Sequence, residues 1–205
     1  MSIYQDLIEN QFFKFPNCMP ALNMLNTKYL IMPDPQTGQA TVQQNPNALG
    51  AAWLVKSVEY KEGPAAIMKS ISDFNPSETA LLDQKDKTRI GVIQYDSTAS
   101  IQLLKNENDA ATYKYKSSVN QFAVFSEVFY DAGWKAFIDG KESAILQTNY
   151  VLRGMEIPAG EHTIEFKFEP ASYAIGSKAA VGSSVIIWLL LLGSIITSFK
   201  KTKTA

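Results

Sequence analysis

The run AAVGSSVIIWLLLLGSIITSF, from Ala179 to Phe199, contains no charged side chain. A helix rises 1.5 Å per residue, so this run can cross the ~30 Å hydrocarbon core of a bilayer. A buried core helix is the competing reading, but such helices keep a polar stripe, and this run has none. The expectation is one transmembrane helix over 174–199. Lys200, Lys201 and Lys203 follow directly. Basic flanks stay on the cytoplasmic side. That makes 200–205 a cytoplasmic basic tail and residues 1–170 extracytoplasmic, with the lipid bilayer as the first partner.

This topology has a consequence at the other end. MSIYQDLIENQFFKF carries Asp6 and Glu9 and has no continuous apolar stretch, so it does not read as a signal peptide. A lone C-terminal anchor would have to carry the whole folded region across the membrane. The simplest expectation is that the chain is the C-terminal piece of a larger polytopic protein, whose earlier spans deliver it.

Composition removes several functional classes. The 19 basic and 20 acidic residues nearly cancel, and no nucleic-acid-binding motif occurs. Cys18 is the single cysteine and His162 the single histidine. An internal disulfide and a cysteine-based metal site are therefore excluded, and a histidine-based zinc site or a Ser-His-Asp triad has no support in the spacing. Neither GxGxxG nor GxxxxGK[ST] occurs, so nucleotide binding has no support. No catalytic residue, metal ligand or cofactor is assigned.

Along the chain, Ile3, Leu7, Ile8 and Phe12 predict a short helix within residues 1–14. LNTKYLIMP (25–33) reads as a strand ended by Pro33 and Pro35, followed by a polar loop or weak hairpin. AAWLVKSVEY (51–60) reads as one strand, Pro64 opens a short helix over 65–71, and ETALLD is a further short strand. From about Ile90 the pattern becomes short strands between turns. ATYKYKSSV alternates as a half-buried strand, and QFAVFSEVFY is apolar on both faces. WKAFID and KESAIL flank Asp139-Gly140, a type I′ hairpin signal. In EHTIEFKFEP, Ile164, Phe166 and Phe168 share one face.

The fold class expected is mainly β: an antiparallel β-sandwich with a small N-terminal α/β lobe and one C-terminal transmembrane helix. The lobe is expected over 1–89 and the sandwich over 90–170.

Four residues are candidate ligand or partner contacts. Tyr130 and Trp134 lie in YDAGWKAFIDGK, where most of the composition is turn chemistry and core filling. Trp134 can plug the core at the start of its strand or stack on a sugar ring. Arg153 is in phase with Val151, Met155 and Ile157 on an apolar face, so its guanidinium needs a partner. A carboxylate from a neighbouring strand is one reading; an anionic lipid-linked group near the membrane is the other. His162 sits at the open end of the Ile164 row, where a hydrogen-bonded strand-end role competes with ligation. Asp131, Asp139 and Glu161 fall in or beside turns, which argues against paired-carboxylate catalysis.

The run SEVFYDAGWKAFIDGKESAILQTNYVLRGMEIPAGEHTIEFKFEP with the helix after it resembles the C-terminal end of YfhO-family bacterial membrane proteins. ALNMLNTKYLIMPD, NPNALGAAWLV and DFNPSETALLD resemble other segments of that family, so the likeness runs from about residue 4 to residue 199. It implies a large polytopic protein of the GT-C glycosyltransferase type in the bacterial cytoplasmic (inner) membrane. Such enzymes use a polyprenyl-phosphate-linked sugar, and the catalytic acid lies in an early extracytoplasmic loop with no counterpart here. The implied partners are the N-terminal transmembrane part of the same protein and a polyprenyl-linked sugar or cell-envelope glycan. The fragment alone is expected to be inactive as a transferase. The alternative is a free-standing membrane-anchored sandwich that binds glycan or protein.

Overall fold

Gln121–Val128 is apolar on both faces, and the fold covers both. The computed structural model describes residues 2–34 and 36–202. In chain order these form α1 (Ser2–Gln11), α2 (Met19–Met24), β1 (Tyr29–Pro33), β2 (Ala40–Gln44), β3 (Ala52–Val55) and β4 (Ser57–Lys61). Next come α3 (Gly63–Ser70), β5 (Thr79–Asp83), β6 (Ser100–Asn106), β7 (Ala110–Ser117), β8 (Gln121–Val128) and β9 (Trp134–Ile138). The chain ends with β10 (Lys141–Ser143), β11 (Leu146–Thr148), β12 (Leu152–Ile157), β13 (Gly160–Phe168) and α4 (Ala171–Thr202).

β8 lies inside a four-stranded sheet ordered β11-β12-β8-β3, with antiparallel neighbours on both sides. A five-stranded antiparallel sheet, β10-β9-β13-β7-β6, covers one face. Between the two sheets Ala123, Phe125, Met155 and Ile157 meet Tyr113, Tyr115, Ile164 and Phe166. The Phe125 ring stands edge-on to Phe166 and to Tyr113, at centroid separations of 4.8 Å and 4.9 Å. The opposite face of the four-stranded sheet supplies Phe122, Val124 and Leu152 to a second core. Leu7 of α1, Met24 of α2, Ile67 of α3 and Leu82 of β5 complete it. Each fully buried side chain of this size contributes roughly 1.5–3 kcal/mol, so β8 works for two cores at once. β4 and β5 pair in parallel, with α3 as the crossover such a pair requires.

The architecture is mainly β and antiparallel, with helices at the N-terminal side and one apolar C-terminal helix, as expected. The boundary expected at 89/90 is not a packing boundary. β3 pairs with β8, and the second core mixes residues from both sides of that position. The reason is the doubly apolar β8, whose outer face needs the N-terminal elements as its cover. AAWLVKSVEY is also two strands rather than one. At Lys56 the chain leaves the central sheet, and the Lys56 and Ser57 amides both donate to the Glu78 carbonyl, at 2.7 Å and 3.1 Å. Val151 lies in the turn just before β12, where Asn149 and Tyr150 take positive φ, and it joins the second core, out of phase with Arg153 and Met155.

The hairpin at Asp139-Gly140 has the expected form. Lys141 pairs with Ile138, and φ is 51° and 80° at the two turn residues, the left-handed values a type I′ turn requires. The polar loop after β1 resolves into the weak hairpin, β1 with β2. α4 begins at Ala171, before the 174 expected, and 200–202 continue it. The rest of the expected tail, 203–205, lies outside the described residues.

Candidate functional site

At Phe168 the last strand of the five-stranded sheet pairs with Trp134, and the Glu169 amide donates to the Gly133 carbonyl at 2.7 Å. Both contacts lie just before Pro170 and the start of α4. The cleft at this end of the sandwich holds about 190 Å³ and brings together Tyr130, Trp134 and Arg153, three of the four residues singled out from sequence. His162 is not among its walls. The sequence reading did not connect Lys135, Glu142 or Ser143 with these three, although all line the same cleft. Hairpin pairing of β10 with β9, which Asp139-Gly140 signals, brings Glu142 and Ser143 there; no local pattern announces that Arg153 of β12 lines the same cleft.

Arg153 enters from β12 and is 3% exposed. Its Nε donates to the Val128 carbonyl at 3.1 Å. The guanidinium carbon stands 4.0 Å from the centre of the Trp134 ring and 5.4 Å from that of Phe166. Among the described residues no carboxylate forms an ion pair with it, which corrects the expectation of a partner from a neighbouring strand. The Trp134 and Phe166 rings stand beside the guanidinium instead. Glu127 acts only from farther off: burial pushes the guanidinium below its ordinary pKa, while Glu127 and Tyr113 pull it partly back. The same burial pushes the Tyr113 hydroxyl up to about 12, with Glu127 adding to the rise.

Nη1 of Arg153 is buried without a hydrogen-bond partner. A desolvated cation–π contact contributes about 2 kcal/mol. Burying a guanidinium costs several kcal/mol, and each buried unpaired donor adds roughly 1–3 kcal/mol. The aromatic contacts therefore do not offset the cost of placing this charge here.

Trp134 has two placements in the fold. It packs against the core between the sheets, and it forms a wall of the cleft between Arg153 and Phe168, whose ring centroid is 5.4 Å away. Tyr130 is half exposed and tilts over Phe168 at 6.5 Å. Lys135 pairs with Glu169 at 3.3 Å. Asp131 and Glu142 have no ion-pair partner among the described residues.

His162 lies instead against the hairpin. Its Nδ1 is 2.6 Å from Asp139 Oδ2, its Nε2 is 3.2 Å from the Ala159 carbonyl, and its ring stacks on Tyr115. Both partners are acceptors, so each ring nitrogen must donate, and the geometry suits the imidazolium. The Asp139 hydrogen bond accordingly raises the His162 pKa and lowers that of Asp139. Asp139 also accepts from the Thr163 amide at 2.8 Å, which fastens the turn to β13.

The family described as bacterial membrane protein YfhO matches residues 74–178. The match takes in the cleft and all four candidate residues, and it covers just over half of the chain. No curated protein and no solved structure matches. With an apolar helix long enough to cross a bilayer continuing from the sandwich, the chain belongs to the YfhO family of bacterial membrane proteins.

Proposed function

We propose that the sandwich is an extracytoplasmic module and α4 the membrane span that follows it, in a protein that transfers sugar from a polyprenyl-phosphate carrier. The observation that carries the membrane part is α4 itself. It leaves the sandwich directly after Pro170, and Ile186, Trp188 and Leu190 are each at least 60% exposed. Apolar side chains of this size each gain roughly 1.5–3 kcal/mol on leaving water, and a bilayer supplies that cover along the helix. The basic residues Lys200, Lys201 and Lys203 support an outward-facing sandwich. Family membership and the sequence resemblance support the glycosyltransferase role. In that role the module shapes the acceptor side or braces the membrane part, and the transfer chemistry belongs to other regions of the protein.

Cysteine labelling in intact cells tests the topology. The native Cys18 is 2% exposed, and burial raises its pKa, so it stays silent. A membrane-impermeant maleimide should label Ser118→Cys in intact cells and Thr204→Cys only after lysis. The reverse pattern would sink the orientation. The transferase reading is tested separately, by mass spectrometry of envelope polymers from cells with and without the gene. Loss of a sugar substituent is expected, and an unchanged glycan profile overturns it.

A further inference from the structure

We infer that the cleft beside α4 is a binding site for a small hydroxylated anion, a sugar-sized molecule bearing one carboxylate or phosphate group, with Arg153 as its anchor. Three observations converge. Arg153 is 3% exposed, lines the cleft, and carries a buried nitrogen with no partner. Buried donors in native structures are almost always paired, and an unpaired one calls for an explanation. A guanidinium presents a planar fork that matches a carboxylate or phosphate in two-point contact. The Trp134 ring, 4.0 Å from the guanidinium carbon, holds that fork in place.

The other walls narrow the ligand class. Asp131 and Glu142 also line the cleft, Ser143 adds a hydroxyl, and Tyr130 adds a half-exposed ring. Two carboxylates repel a bare anion but accept hydrogen bonds from hydroxyl groups. An exposed aromatic ring offers an apolar face to the C–H side of a sugar ring. The volume of about 190 Å³ gives room for one substituted ring. The ligand that satisfies all of these walls carries its charge at one end and hydroxyls at the other. This site stands independently of the transferase reading, since it requires only binding.

The test uses the full chain, 15N-labelled in detergent micelles, titrated in parallel with glucuronate, glucose 6-phosphate, glucose and inorganic phosphate. The chain has only two arginines, Arg89 and Arg153, so the Arg153 Nε–H signal can be followed alone. Glucuronate or glucose 6-phosphate should shift Arg153 and the Trp134 indole while leaving Arg89 in place. The stronger of the two arms identifies the acid group as carboxylate or phosphate. Glucose and inorganic phosphate should each bind at least roughly tenfold more weakly, because each lacks half of the recognised chemistry.

Arg153→Met should weaken binding by roughly ten- to a hundredfold. Tyr130→Ala, a change at a half-exposed wall, should weaken it severalfold and serves if Arg153→Met fails to fold. Absence of any Arg153 shift with both acids overturns the site. So does equal binding by inorganic phosphate, or unchanged affinity in either variant.

Discussion

At the scale of single residues, the contrast between His162 and Arg153 is instructive, because both are cations held near aromatic rings. His162 has acceptors at both nitrogens, so its charge is accounted for within the hairpin. Arg153 has one acceptor and two rings, so its charge is left over. The His162 pair carries a pH signature with a definite sign. Its folded pKa lies above a histidine's ordinary 6.5, so its contribution to stability is fully present below 6.5 and fades as pH rises through the folded value. Asp139 runs the other way: its folded pKa lies below the ordinary 3.8, and its contribution is lost as pH falls through the folded value. The turn is therefore held best between the two ordinary values, above 3.8 and below 6.5, and loosens as pH rises through the His162 midpoint. An NMR titration of the single histidine should give a midpoint above 6.5, and Asp139→Asn should bring it back down. A wild-type midpoint at or below 6.5 would show that the pair does not form.

Among the elements, β12 is the most constrained strand. Its alternation turns Leu152 to one core and Arg153 and Met155 to the other, while Val151, in the turn before it, joins Leu152. Gly154 sits opposite Val124 on β8, where a Cβ would collide with Thr148 Oγ1 and stand 2.7 Å from the Phe122 ring. Neither neighbour can retreat: Phe122 is fully buried, and Thr148 Oγ1 donates to the Leu146 carbonyl. Gly154→Ala should therefore destabilise the sandwich by about 1–3 kcal/mol through overpacking, read as a lower melting temperature in detergent. An unchanged melting temperature would mean that the layers around β12 yield more easily than this packing implies.

For the whole molecule, the three-layer arrangement decides what can fold alone. The four-stranded sheet is covered on one side by the five-stranded sheet and on the other by α1, α2, α3 and the β4–β5 pair. A chain beginning at residue 90 would lose β3 and expose Phe122, Val124, Leu146, Val151 and Leu152. Five such side chains left uncovered represent roughly 7–15 kcal/mol of lost burial, comparable to the whole stability of a typical domain. Residues 90–205 expressed alone should accordingly show no cooperative thermal transition, whereas the full chain should show one. A sharp melt of the shorter chain would establish the sandwich as an independent unit.

Patterns of period two and of uniform polarity were sufficient to determine much of this protein. The charge-free run before Lys200 determined the C-terminal apolar helix and made it long enough to cross a bilayer, because that capacity demands length and apolarity and nothing subtler. Alternation fixed β7 and β13, and Asp139-Gly140 fixed its turn, because these signals act between near neighbours in the chain. The apolar run of β8 announced burial on both faces, but only the tertiary structure decided that the second cover is the N-terminal region. The single-strand reading of 51–60 failed because the break at Lys56 depends on the distant Glu78 carbonyl. Arg153 shows the same division most clearly. Its place on an apolar face was legible in sequence, and so was its need for a partner. That rings rather than a carboxylate surround it, with Tyr130 and Trp134 completing a cleft, was decided by strand pairing across the sandwich. Long-range pairing leaves no local trace in the chain.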